Sequence, residues 1–304
     1  ESRKKKIAIA ASFGHDYIFG DAEVHADLAY WLKRYDYFSV REASGVEICK
    51  NNYGIHAEHV LDPVFLVDKK HYDNLVKKAS CVLPDEYVAF YILDPTIEKG
   101  DIIHKIAGLL GINVTGFSEY NSSEKKIAPL YNCNCKNYKM EERLKVISQC
   151  NFLITDSFHG TCLAIIMNKP FITYLNKDRG SSRFYSLLKM FGLENRLVVS
   201  YEEFKNKGSK LLAPIEWEIV NEKLDYETKK TKQWVANALA APKSNYNDVY
   251  DVLEKRISFI EKQYKKEADQ LRRQFNNLVN SLGMSYTAVT DIYAYIDELN
   301  KIKK

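Results

Sequence analysis

The sequence predicts an α/β protein built on parallel sheets and ending in a long amphipathic helix. Three observations carry this. Short apolar runs alternate with runs of helical periodicity along residues 7–205, the pattern of strands joined by helical crossovers. Residues 151–174 (NFLITDSFHGTCLAIIMNKPFITY) read as buried strand, polar turn, apolar helix, proline break and second strand, a βαβ unit. From about Tyr246 apolar residues recur in steps of three and four, from Leu253 to Leu282, with charged residues between them.

In chain order, residues 7–12 (IAIAAS) are a buried strand, and residues 21–33 a helix with Asp21 as its cap. Residues 37–41 form a short strand. A helix through Val46, Ile48 and Cys49 then ends at Gly54. Residues 59–61 are a brief strand closed by Asp62-Pro63, and residues 69–79 a polar helix. The proline-acid break at residues 81–86 (CVLPDE) marks a domain boundary. Residues 87–93 open a second series with a fully buried strand, followed by a helix at 97–110 that Gly111 ends and a strand at 112–116. The long polar loop 117–139 is a surface insertion or borders a site. A helix at 140–150 leads into the βαβ unit, with its strand at 152–155 and its helix at 161–167. A loop at 176–182, a helix at 183–191 closed by Gly192, a strand at 198–199 and a peripheral helix from Tyr201 follow. The expected domains are 1–84, 85–210, a linker or peripheral segment 211–245, and the helix 246–304. With Glu first and a strand six residues later, the first domain is expected to be incomplete.

The composition, 46% hydrophobic and 28% charged over 304 residues, is that of a globular protein long enough for two cores. A net charge of +4 with both signs interspersed argues for no nucleic-acid partner. No apolar run reaches a membrane span, and no signal peptide is evident. The six cysteines are scattered without a CxxC pair, so no metal is expected. The thiols are expected reduced and the protein cytoplasmic. The absence of GxGxxG and Walker-type loops weighs against NAD or ATP, and no cofactor is expected.

The turn at 156–161 (DSFHGT) places His159 with Ser157 and Thr161 at a helix N-terminus, a setting suited to an anion. Histidine is also the group that titrates near neutrality. Arg41 closes a strand, where it serves a ligand or pairs with Glu42 or another carboxylate. Arg183 opens a helix, an unfavourable place for a cation unless an anion is near; an exposed surface arginine is the other reading. Asp62 reads more readily as a strand-ending, turn-forming residue than as a catalytic acid, and His15 either as a solvated loop histidine or as facing the same cleft.

Five segments occur in order: SVREASG (39–45), LDPVF (61–65), TDSFHGT (155–161), NKPF (168–171) and SSRF (181–184). Together, over residues 1–205, they resemble the bacterial polysaccharide pyruvyl transferases. The resemblance implies two Rossmann-like domains in a glycosyltransferase-B-like arrangement, the absent start supplying first strands. It implies transfer of the enolpyruvyl group of phosphoenolpyruvate to a sugar as a cyclic ketal, with release of phosphate. His159 would be the acid/base and Arg41 the donor-binding arginine, with Ser157, Thr161, Ser182 and Arg183 as further contacts. Some members carry an arginine where this chain has Ser157, which leaves the second positive charge to Arg183, Arg179 or an absent residue. The implied partners are phosphoenolpyruvate and a capsule or exopolysaccharide sugar, free or lipid- or nucleotide-linked, with action at the inner face of the membrane. Two alternatives stand: a nucleotide-sugar glycosyltransferase, or a non-catalytic assembly protein. Residues 246–304 either pack on their own chain or join a second copy or partner as a coiled coil.

Overall fold

The computed structural model describes residues 4–118, 134–176, 179–243 and 249–281. The chain forms two units, one of Glu1–Ile18 with Tyr35–Ser244, the other of Phe19–Arg34 with Asn245–Lys304.

The larger unit contains two all-parallel sheets. In the first, β1 (Ile7–Ala11), β2 (Tyr37–Val40) and β3 (Glu58–His59) lie in that order. The register slips between Ala8 and Ala11. There the Ser39 hydroxyl accepts from the Ala10 amide and donates to the Ala8 carbonyl, each at 3.0 Å. Helix α2 (Ala43–Tyr53) joins β2 to β3 and stops at Gly54, whose φ of 61° is the left-handed cap that glycine adopts freely. Asp62 caps a 3-10 turn (Pro63–Leu66), the turn-forming role expected of it.

The second sheet has six strands: β4 (Tyr87–Ile92), β5 (Asn113–Ser118), β6 (Asn134–Cys135), β7 (Phe152–Thr155), β8 (Phe171–Tyr174) and β9 (Leu197–Val198). Their spatial order, β6-β5-β4-β7-β8-β9, is the doubly wound order, which reverses direction between β4 and β7. β7 is buried along its length, as is β4 except at Tyr91, which explains their continuous apolar runs. The crossover helices of this sheet are α4 (Ile97–Leu110), α5 (Met140–Gln149), α6 (Phe158–Ile166) and α7 (Ser182–Phe191).

Several elements differ from expectation. β6 falls in what reads as loop, because two strand residues at a sheet edge leave no periodic trace; residues 119–133, including Cys133, lie outside the described residues. Helix α6 begins at Phe158, not Thr161, because Ser157 is its cap. The segment expected as a linker is largely the 24-residue helix α9 (Trp217–Ala240). Its Thr231 hydroxyl accepts from the Leu61 amide at 3.1 Å, and it packs on α7 and β1. The remaining helices are α3 (Lys69–Val76) and α8 (Tyr201–Lys207).

The smaller unit pairs α1 (Ala22–Leu32) with α10 (Val249–Ser281). Asp21 caps α1 as expected, accepting from the Glu23 and Val24 amides. Arg256 of α10 pairs with Asp27 and lies over the Tyr30 ring of α1. Thus α1, read as part of the first domain, belongs with the C-terminal helix, which packs against its own chain here. Residues 282–304 of the expected helix lie outside the described residues. No helix among the described residues is long and apolar enough to cross a membrane.

Candidate functional site

Parallel strands deliver their following loops to one edge, and the reversal of strand order opens a crevice there. Arg41 follows β2 directly, Asp62 lies just past β3, and His159 sits in the first turn of α6 beyond β7. The polar residues at the strand ends are held firmly. Asp156 is buried and accepts from the Leu93 amide (2.5 Å), the Asp94 amide (3.0 Å) and the Lys99 ammonium (2.7 Å). This ties the end of β4 to the end of β7, the two strands that flank the reversal.

Gly160 answers a packing need in the HGT turn. A Cβ there would stand 2.3 Å from Thr155 Oγ1 and 3.0 Å from the Tyr91 ring, so only glycine lets α6 descend onto β7. Ser157 is 2% exposed and its hydroxyl accepts from the Gly160 amide at 3.2 Å. Thr161 is fully buried, its hydroxyl shared between the Ser157 carbonyl (3.1 Å) and Thr173 Oγ1 (2.8 Å). Both hydroxyls, expected to meet a ligand, take part in building the helix start.

Two arginines converge on one aromatic ring. The guanidinium carbons of Arg41 and Arg183 each lie 5.2 Å from the centroid of Phe158, which is 3% exposed. Arg41 Nη1 donates to Asp62 Oδ2 at 2.6 Å, and one Arg183 nitrogen donates to the Arg179 carbonyl. The buried Nε of each arginine has no hydrogen-bond partner. Burial, and then the neighbouring Arg41 charge, pull the Arg183 guanidinium below its usual value. Arg179, the other candidate for a second positive charge, is held in a fork by Asp94 at 2.6 and 3.0 Å, and that contact keeps the Asp94 carboxyl below its ordinary value. The helix bearing Arg183 is pinned to the loop bearing Arg41. Ser186 Oγ accepts from the Ala43 amide at 2.9 Å and lies 3.3 Å from His59 Nε2.

The His159 side chain is 53% exposed, with Nε2 3.8 Å from Asp62 Oδ2. Burial lowers its pKa; the Asp62 carboxylate opposes this, while Arg41 and Arg183 reinforce it. The structure therefore gathers Arg41, His159 and Arg183 at one place. Ser182 stands next to Arg183, its hydroxyl buried without a partner and its amide donating to the Gly14 carbonyl at 3.3 Å. His15 lies in the loop after β1 with its ring tilted against Tyr17.

Residues 1–178 match the family described as polysaccharide pyruvyl transferase. The chain belongs to that family. Curated proteins yield no match. Among solved structures, the chain is similar to a UDP-GlcNAc 2-epimerase from Neisseria meningitidis bound to UDP-GlcNAc, at 9% identity and TM-score 0.45 over 68% of this chain and 61% of that one. It is also similar to the wall teichoic acid polymerase TagF, at 12% identity and TM-score 0.34 over 76% and 65%. The chain thus spans less than two thirds of the length of these neighbours, and at such scores the likenesses carry no functional weight.

Nothing in the sequence marks Lys99 as lying beside the site of this pyruvyl transferase family member, and Asp62 reads there as a turn former more readily than as a catalytic acid. Lys99 lies on an amphipathic helix where a lysine reads as solvent-facing, yet it is 5% exposed. Asp62 reads as a turn former because Pro63 follows it. It does cap the turn, through Oδ1, but its Oδ2 faces Arg41 and His159. Among the described residues no cluster suits a metal ion.

Proposed function

We propose that this crevice binds phosphoenolpyruvate and passes its enolpyruvyl group to a sugar diol, forming a cyclic ketal and releasing phosphate. The observation that supports the reading best is the pair of guanidiniums on Phe158, each with a buried, unpartnered Nε. Asp62 already balances Arg41, and a carboxylate and a phosphate on one small molecule would give both guanidiniums further partners. Arg41 and Arg183 hold the donor. His159 moves protons: ketal formation adds one to the enol carbon and removes one from each attacking hydroxyl, while phosphate departs with the C–O bond electrons and takes the remaining proton. Neutral histidine is the form that burial and the two arginines favour, so it enters as a base toward a hydroxyl. The acceptor is a surface-polysaccharide sugar or its lipid- or nucleotide-linked precursor. The test is phosphate release from phosphoenolpyruvate in the presence of sugar acceptors. His159→Ala should lower turnover by about 100-fold or more, and wild-type turnover in that variant would remove the assignment. Stabilisation by a nucleoside diphosphate and not by phosphoenolpyruvate would replace it with glycosyl transfer.

A second surface belongs to α10. Ile257, Tyr264 and Leu271 recur every seven residues and are 57%, 54% and 65% exposed. Glu267 and Arg272 flank this stripe five residues apart, where parallel pairing sets opposite charges against each other. The reading is a second copy of the chain. Tyr264→Glu with Leu271→Glu should halve the mass in solution, and an unchanged mass would dismiss the pairing.

A further inference from the structure

The Asp62 carboxylate has two oxygens with different duties. Oδ1 accepts from the Val64 amide at 3.0 Å and caps the turn. Oδ2 meets Arg41 at 2.6 Å and stands 3.8 Å from His159 Nε2. The side chain is only 3% exposed, so its charge is felt by its neighbours with little screening by solvent. The charged groups facing His159 are Asp62, Arg41 and Arg183.

We propose that Asp62 is a positioning residue for both working groups: it aligns the Arg41 fork and draws the His159 Nε2 proton toward itself, leaving Nδ1 to exchange protons with the ligand. The proposal rests on the donor-site reading given above for its use in turnover, though not for its geometry. A base whose second nitrogen is oriented by a carboxylate is the general arrangement for fixing an imidazole tautomer. The His159 ring is half-exposed, and 3.8 Å is within an ångström or so of hydrogen-bond length. A purely structural Asp62, pairing Arg41 and capping the turn, would still raise the His159 titration through its charge but would leave the tautomer of the ring unfixed, so the tautomer separates the two roles.

The test uses the whole chain and nuclear magnetic resonance of its histidine rings, His159 being assigned by its loss in His159→Gln. In the wild type, the nitrogen shifts should report a neutral ring protonated on Nε2; a ring protonated on Nδ1 would overturn the proposal without any variant. Asp62→Asn keeps the turn-capping oxygen and the size but removes the charge. It should move the His159 titration to lower pH by roughly half a unit or more, and an unmoved titration would overturn the proposal. With phosphoenolpyruvate and acceptor, the limb of the kcat profile governed by His159 should shift the same way. Should phosphoenolpyruvate prove not to be turned over at all, the donor-site reading fails while the ring tautomer still decides the role of Asp62.

Discussion

Substituting Arg41 by alanine removes two things at once, the cation proposed to hold the donor and the counter-charge of buried Asp62. Breaking a buried pair from one side costs roughly 3–5 kcal/mol. Arg41→Ala should therefore lower the urea midpoint markedly as well as weaken donor binding. Arg183, which lies over Phe158 and Phe184 and donates to a backbone carbonyl, is in no buried ion pair among the described residues. Arg183→Ala should weaken phosphoenolpyruvate binding about tenfold or more while moving the midpoint far less, since a charge-assisted contact is worth roughly 1.5–3 kcal/mol. Comparable loss of stability in both variants would contradict the division of roles. His59 supplies a pH prediction. Burial lowers its pKa, with Lys230 acting in the same direction and the Arg41 backbone opposing. The unfolded chain then binds the proton more readily than the folded one. The stability is full above the unfolded value near 6.5, declines as pH falls through it, and levels off below the folded value. Urea midpoints taken above and below that value should differ, and His59→Gln should narrow the difference.

At the level of elements, the crevice depends on how β4 and β7 are tied together. Lys99 from α4 reaches Asp156 at 2.7 Å and the Asp94 carbonyl at 2.6 Å. Lys99→Met should cost roughly 3–5 kcal/mol by leaving a buried carboxylate without its cation. Because Asp156 also accepts two backbone amides, Asp156→Asn should be damaging as well, losing those charge-assisted contacts. Equilibrium unfolding checks both, and a neutral Lys99→Met would show that the two amides alone suffice for Asp156. The close descent of α6 gives a sharper case. Gly160→Ala forces a methyl to 2.3 Å from Thr155 Oγ1, which overpacking should penalise by about 1–3 kcal/mol, with His159 displaced in the adjoining position. Gly180 is a similar constraint: its φ is +91° and a Cβ would stand 2.7 Å from the Gly14 carbonyl.

For the whole molecule, the two units differ in how they are stabilised. The second sheet buries strands on both faces between crossover helices, whereas the described side chains of α10 are mostly exposed. Hydrogen exchange should accordingly release the amides of α1 and α10 together and earlier than those of β4 and β7. Simultaneous protection of all four would mean that the units unfold as one. The grouping of α1 with α10 joins segments more than 200 residues apart, and no local pattern announces that pairing.

The alternation of elements, the caps at Asp21, Gly54, Gly111 and Gly192, and the strand–turn–helix around His159 were legible in the residues, because each rests on interactions within a few positions of the chain. The five ordered segments carried the family for the same reason: each is a short run read within a few positions of the chain. Three-dimensional closure decided the rest. It brought Arg41 and Arg183, separated by 142 positions, onto the ring of Phe158. It set the turn-capping Asp62 beside His159, and it built Ser157 and Thr161 into the helix start. Charge and hydrogen-bonding capacity are written in the residue type, but which partner uses them depends on distance, and distance between remote residues is set only when the sheets form.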